Sequence, residues 1–83
     1  MNNVEAINFI GLCYENGDGV RLNQEQAFIY YLKAAQINFP TAMYNVGRCY
    51  EYGIYVNIQK NEANKWYRKA ASLGHHGALE KIK

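Results

Sequence analysis

AINFIGLCYENG, from Ala6 to Gly17, and AMYNVGRCYEYG, from Ala42 to Gly53, superpose at an offset of 36 residues, from Gly11 to Gly47. Ala, Gly, Cys, Tyr, Glu and Gly coincide in the two stretches. The identities continue outward through Val20/Val56, Ala27/Ala63, Tyr31/Tyr67, Lys33/Lys69, Ala34/Ala70, Ala35/Ala71 and Ala42/Ala78. Background residue frequencies of about 5–7% give roughly three chance matches over such an overlap, so the duplication is real. An offset in this range is the signature of a repeat array. The chain divides into a first unit at 3–38, a second at 39–74 and a partial third at 75–83.

Within each unit the apolar spacing is helical. Val4, Ala6, Ile7, Phe9, Ile10, Cys13 and Tyr14 recur by threes and fours, and Gly17 supplies the stop. Val20 is expected to plug the following turn from inside. Asn23 is a natural N-cap with Gln26 as its capping-box partner, and Ala27, Tyr30, Tyr31, Ala34 and Ala35 form the next stripe. Asn38, Phe39 and Pro40 end that helix, since Pro40 disfavours a helical conformation at Phe39, and Thr41 is placed to begin the next one. There Ala42, Met43, Val46, Cys49 and Tyr50 form one stripe, with Gly53 as the stop and Val56 as the plug. Gln59 or Asn61 starts a helix carrying Ala63, Trp66, Tyr67, Ala70 and Ala71, and Gly74 ends it. Ala78, Leu79 and Ile82 begin a third copy. The fold class is therefore all-α, with four helices and a short C-terminal capping helix. Gly11 and Gly47, costly inside helices, mark a close approach; Tyr31 and Tyr67, or Tyr30 and Trp66, are the residues to fill it.

The pattern A-x-x-x-[apolar]-G-x-x-Y-x-x-G-x-G-V, followed by A-x-x-[YW]-Y-x-K-A-A, resembles the Sel-1-like repeats, helix-turn-helix units related to tetratricopeptide repeats. Ala6, Ile10, Gly11, Tyr14, Gly17, Gly19, Val20, Ala27, Tyr30, Tyr31, Lys33, Ala34 and Ala35 carry it in the first unit. Ala42, Val46, Gly47, Tyr50, Gly53, Val56, Ala63, Trp66, Tyr67, Lys69, Ala70, Ala71 and Gly74 carry it in the second. The resemblance implies a right-handed α-α superhelix with the first helix of each unit on the concave side, and a role as an adaptor in protein complexes. Two positions depart from it. Tyr55 replaces the second loop glycine, so that turn is expected to be distorted and Tyr55 exposed; Gln59 stands where an acidic N-cap is usual. A secreted, cysteine-rich branch of the family binds β-lactams, but at its cysteine positions this chain has Ala35, Ala42, Ala71 and Ala78.

Composition narrows the function classes. The chain has 83 residues, 49% hydrophobic and 19% charged, with a net charge of +2 and eight tyrosines. Its basic residues are scattered, so no run of them can neutralise successive phosphates, and nucleic acid is not an expected partner. No apolar run approaches the ~20 residues of a membrane span, so membrane insertion is not expected. Cys13 and Cys49 occupy equivalent places in neighbouring units. Packed helices lie roughly 8–10 Å apart, beyond the ~7 Å Cα spacing that a disulfide allows, so both read as reduced thiols and suggest an intracellular protein.

Catalytic chemistry has little material. Ser72 and Asp18 are the chain's one serine and one aspartate, and with His75 or His76 they would have to converge from separate turns. His75-His76 with the two cysteines lacks zinc-ligand spacing. Gly17-Asp18-Gly19 follows a helix rather than a strand, so it is no phosphate cradle. Glu15 and Glu51 read as exposed acids near helix ends. No cofactor, no metal and no enzymatic activity are expected.

The informative residues are those of the first helices that point away from the packing stripes: Asn8, Leu12, Glu15 and Asn16, then Tyr44, Arg48, Glu51 and Tyr52. Tyr and Arg are enriched at interface hot spots, and Tyr44, Arg48 and Tyr52 form one i, i+4, i+8 row. These eight are expected to line a groove that binds a peptide or helix of a partner protein. The plainer alternative is a solvated face with Arg48 paired to Glu51 or Tyr44. A second alternative is a piece of a longer array, self-associating through its ends: Leu79 and Ile82 at one, Val4 and Ile7 at the other.

Overall fold

The computed structural model describes residues 3–83 and is all-helical among them. Five helices follow one another: α1 (Val4–Asn16), α2 (Gln24–Ala35), α3 (Pro40–Tyr52), α4 (Lys60–Ser72) and α5 (His76–Lys81). α1 packs on α2, α2 on α3, α3 on α4 and α4 on α5, so each helix meets its neighbours in sequence, as in an α-α solenoid.

Local chemistry sets the boundaries. Asn3 and Asn23 each accept a hydrogen bond from the amide three residues on, capping α1 and α2. The expected capping box at Asn23 is only half made, because its own amide donates to the carbonyl of Tyr14. α3 begins at Pro40, one residue earlier than expected: proline's fixed φ suits the first helical position, where its missing N–H costs nothing. Gln59 is the N-cap of α4 and makes no side-chain cap.

The two glycine-stopped turns have the same shape. Gly17 and Gly53 adopt left-handed φ of 68° and 73°, and each precedes a second left-handed residue, Gly19 or Tyr55. The second turn is thus not distorted, contrary to expectation; Tyr55 takes a φ of +68° at the position where Gly19 takes +78°. The cost of a non-glycine residue there, about 1 kcal/mol or more, is offset by contacts to the first repeat. The exposed Tyr55 ring lies 5.9 Å from that of Phe28, and its hydroxyl donates to Glu25.

The core is built from small residues and two large rings. Ala27, Ala34, Ala35, Ala42, Ala63, Ala70 and Ala78 are buried, allowing the helices to approach closely around Tyr31, Tyr67, Val46 and Cys49. Tyr31 and Tyr67, rather than Tyr30 and Trp66, fill the notches at Gly11 and Gly47. Tyr30 instead stacks on Tyr14. Val20 does not plug its turn: it is 41% exposed, whereas Val56 packs on the core. Val4 and Ile7 are not bare either, since both pack against the core, and Phe9 and Ile10 are the exposed large apolar residues of α1.

Candidate interaction face

The polar residues of α1 and α3 form a chain of hydrogen bonds that crosses from one repeat to the next. Asn45 Nδ2 donates to Asn8 Oδ1 at 3.0 Å, and Arg48 Nη1 donates to Asn45 Oδ1 at 3.2 Å. The Arg48 guanidinium then grips both oxygens of Glu15, at 2.8 and 3.4 Å. Tyr31 closes the chain from α2, its hydroxyl donating to Glu15 Oε1. Five side chains from three helices are therefore mutually satisfied, and among the described residues no buried side-chain polar atom lacks a partner.

This arrangement corrects several expectations. Asn8 is 5% exposed and lies between α1 and α3 instead of on an open groove; its amide is the partner that buried Asn45 requires. Arg48 pairs with Glu15 of the preceding repeat, not with Glu51 or Tyr44. Glu15 and Glu51 are half-buried anchors for tyrosine hydroxyls, not free acids. The row of Tyr44, Arg48 and Tyr52 is divided among different partners. Tyr44 stacks on His75 with ring centroids 4.7 Å apart and lies against Tyr67, Arg48 is held by Glu15, and Tyr52 meets Lys81.

The electrostatics follow from the pairing. Burial works to raise the Glu15 pKa, but the Arg48 and Tyr31 bonds outweigh it and hold the carboxyl below its usual 4.5. Burial and the neighbouring carboxylate push the Tyr31 hydroxyl upward, and its bond to Glu15 pushes the Arg48 pKa up as well. Burial in the core drives the Cys49 thiol up to about 12, so it stays a neutral thiol at ordinary pH. Both cysteines are free.

A second junction lies one repeat on. The Tyr67 hydroxyl donates to Glu51 Oε1, as Tyr31 does to Glu15. Here the cation is Lys81 of α5, 3.1 Å from Glu51 Oε1 and donating to the Tyr52 hydroxyl at 2.8 Å. Its ammonium also sits over the rings of Tyr52 and Tyr67. Tyr67 first, then Lys81, hold the Glu51 carboxyl below its usual range against the effect of burial. Of the eight expected groove residues, Asn16 and Tyr52 are exposed, with Tyr52 at 57%; Leu12, Glu15, Tyr44, Arg48 and Glu51 are half-buried.

Two of the hydrolytic candidates, Ser72 and His75, serve helix ends. Ser72 Oγ donates to the Lys69 carbonyl, and His75 Nδ1 accepts from the Ala78 amide and so caps α5. Among the described residues no three of His, Cys, Asp and Glu cluster as metal ligands. Nor is any helix there long and apolar enough to cross a membrane.

Residues 4–39 and 40–75 each match the Sel1 repeat. The fold is similar to that of a Sel1 repeat protein from Oxalobacter formigenes, with a TM-score of 0.95 and 41% identity over 98% of this chain and 33% of that one. It is similar to a protective antigen of uropathogenic Escherichia coli that displays an SLR fold, with a TM-score of 0.87 and 40% identity over 90% of this chain and 16% of that one. Cysteine rich protein B of Helicobacter pylori gives 0.87 and 30% identity over 93% of this chain and 58% of that one. The chain thus spans less than two thirds of each of these structures. A search of curated proteins gave no match.

Proposed function

The chain belongs to the Sel1 repeat family, a helical-repeat fold typically used for protein–protein interaction, and we propose that it is a non-enzymatic adaptor module that grips a peptide or helix of a partner protein along the α1/α3 face. The observation that carries this reading is the preorganised polar and aromatic surface on that face. Tyr52 stands exposed there, with Arg48 held by Glu15 and Glu51 by the Tyr67 hydroxyl. Side chains already ordered in the free protein lose little entropy on binding, which is how a rigid groove converts contacts into affinity. Leu12, Glu15, Asn16, Tyr44, Arg48, Glu51 and Tyr52 remain the proposed contact residues; buried Asn8 supports them from below.

Selection of helical peptides from a displayed library, followed by backbone NMR titration, tests the assignment. Shifts are expected to cluster on Leu12, Asn16, Arg48 and Tyr52, and Tyr52→Ala is expected to weaken binding by about tenfold with circular dichroism unchanged. Shifts on the outer faces of α2 and α4 would overturn it.

One observation favours a second reading, a stacking unit of a longer array. Met43 is 4% exposed, but Leu79, one repeat further on, is 42% exposed, and Ile82 is likewise uncovered where Val46 is buried. A further helix laid on α5 would bury both. Light scattering of the isolated chain separates the readings, because a strict monomer at high concentration removes self-association.

A further inference from the structure

The two inter-repeat junctions use the same seat for a cation but fill it differently. In the first, Tyr31 donates to Glu15 Oε1 and a guanidinium, Arg48, engages both carboxylate oxygens. In the second, Tyr67 donates to Glu51 Oε1 in the same way, but the occupant is an ammonium that also falls on Oε1. Lys81 reaches this seat from the register position of Asn45, not from that of Arg48. Among the described residues no hydrogen bond falls on Glu51 Oε2, and the exposed ring of Tyr52 forms one wall.

We infer that the Glu51–Tyr67 seat, walled by Tyr52, is a binding site for an arginine side chain of a partner polypeptide, whose guanidinium takes the two-oxygen grip that Arg48 takes on Glu15 and displaces Lys81. The inference rests on the α1/α3 face being the partner-binding face, and it specifies the chemistry recognised there. Two physical contrasts support displacement. A guanidinium presents a planar fork that matches both carboxylate oxygens, whereas an ammonium is a point charge satisfied by one. A planar cation also stacks on an exposed tyrosine ring, and Tyr52 offers one beside the carboxylate. Lys81 stands on a six-residue helix with its side chain 26% exposed, so its ammonium already borders water. The internal Glu15–Arg48 pair is the precedent within the same molecule: an identical Glu and Tyr, one repeat earlier, already hold a guanidinium.

The test uses three probes with the isotope-labelled chain: N-acetyl-arginine N-methylamide, its citrulline analogue and free arginine. The capped arginine is expected to shift the Glu51 carboxyl and the Tyr52 and Tyr67 ring resonances saturably. Lys81→Ala, checked for fold by circular dichroism, is expected to tighten that binding by about threefold or more by vacating the seat, and Glu51→Gln to abolish it. The citrulline analogue, lacking the charge, is expected to leave the resonances in place. Absence of any shift in Lys81→Ala, an equal response to citrulline, or retention in Glu51→Gln each overturns the proposal. Tighter binding of free arginine than of the capped form overturns the assignment to a polypeptide. Saturable arginine binding without a selected peptide on the α1/α3 face leaves the seat standing and refutes the wider reading; the reverse result refutes the seat alone.

Discussion

The ring of Tyr31 occupies the space that a side chain on Gly11 would need: a Cβ there would lie 2.7 Å from both Cδ1 and Cε1. Gly47 and Tyr67 repeat the relationship. Tyr31 is fully buried and its hydroxyl is held by Glu15, so the ring cannot retreat. Gly11→Ala gains up to about 1 kcal/mol of helix propensity but incurs an overpacking cost of about 1–3 kcal/mol. We expect a net loss of about 1–2 kcal/mol, read from the urea midpoint; an unchanged or raised midpoint would refute the notch.

Glu15 makes stability depend on pH in one direction. Its folded pKa lies below the usual 4.5, so its contribution is complete above that value and is lost as pH falls through the lower, folded one. Glu51 shifts in the same direction and adds to the effect. Stability is expected to fall as pH drops below about 4.5, and Glu15→Gln to cost about 1–3 kcal/mol at neutral pH because Arg48 loses its counter-charge. In that variant the acid decline should be shallower; an undiminished slope would mean that the pair carries no linkage.

His75 responds in a neighbouring window. As N-cap of α5 it accepts a hydrogen bond through Nδ1, which requires that nitrogen to be unprotonated. Burial, and then the neighbouring His76, lower its pKa from the usual 6.5. The cap is therefore intact above 6.5 and lost as pH falls through the lower folded value. Hydrogen exchange of the α5 amides should accelerate there while α1 and α2 stay protected. His75→Asn, which caps without titrating, should remove the acceleration.

Asn38 offers a stabilising change. It lies in the turn after α2 at a φ of +64°, where the equivalent Gly74 takes +90°. Asparagine tolerates this region better than most residues, but glycine enters it without steric cost. Asn38→Gly should raise stability by about 0.5–1 kcal/mol, measured as a shift in thermal midpoint. A lowered midpoint would show that the Asn38 side chain makes a contribution beyond its backbone angle.

The repeat made most of the core legible. Gly11, Tyr31, Ala34 and Ala35 could be placed because each has an identical counterpart, and packing positions in a solenoid recur with the repeat. Phe28 could not: its counterpart is Asn64, so its edge-on packing against Tyr50 between repeats left no periodic trace. The polar junction was hidden for a different reason. Comparison at the repeat offset pairs equivalent residues, but residues that touch across a junction are not equivalent. Glu15 meets Arg48 at a separation of 33 and Asn8 meets Asn45 at 37. Spacing showed which residues leave the packing stripe, but not that opposite charges on successive first helices would find each other.

The two junctions also give the molecule an order of mechanical failure. The first is clasped by a forked guanidinium on both oxygens of Glu15 and backed by two buried asparagines; the second is clasped by one ammonium on a short helix. Under tension along the repeat axis, the joint at α5 is expected to part before the joint between α1 and α3. The protein would yield in two steps: a soft hinge at the C-terminal end, then a stiff bracket whose rupture takes the tyrosine-filled core with it.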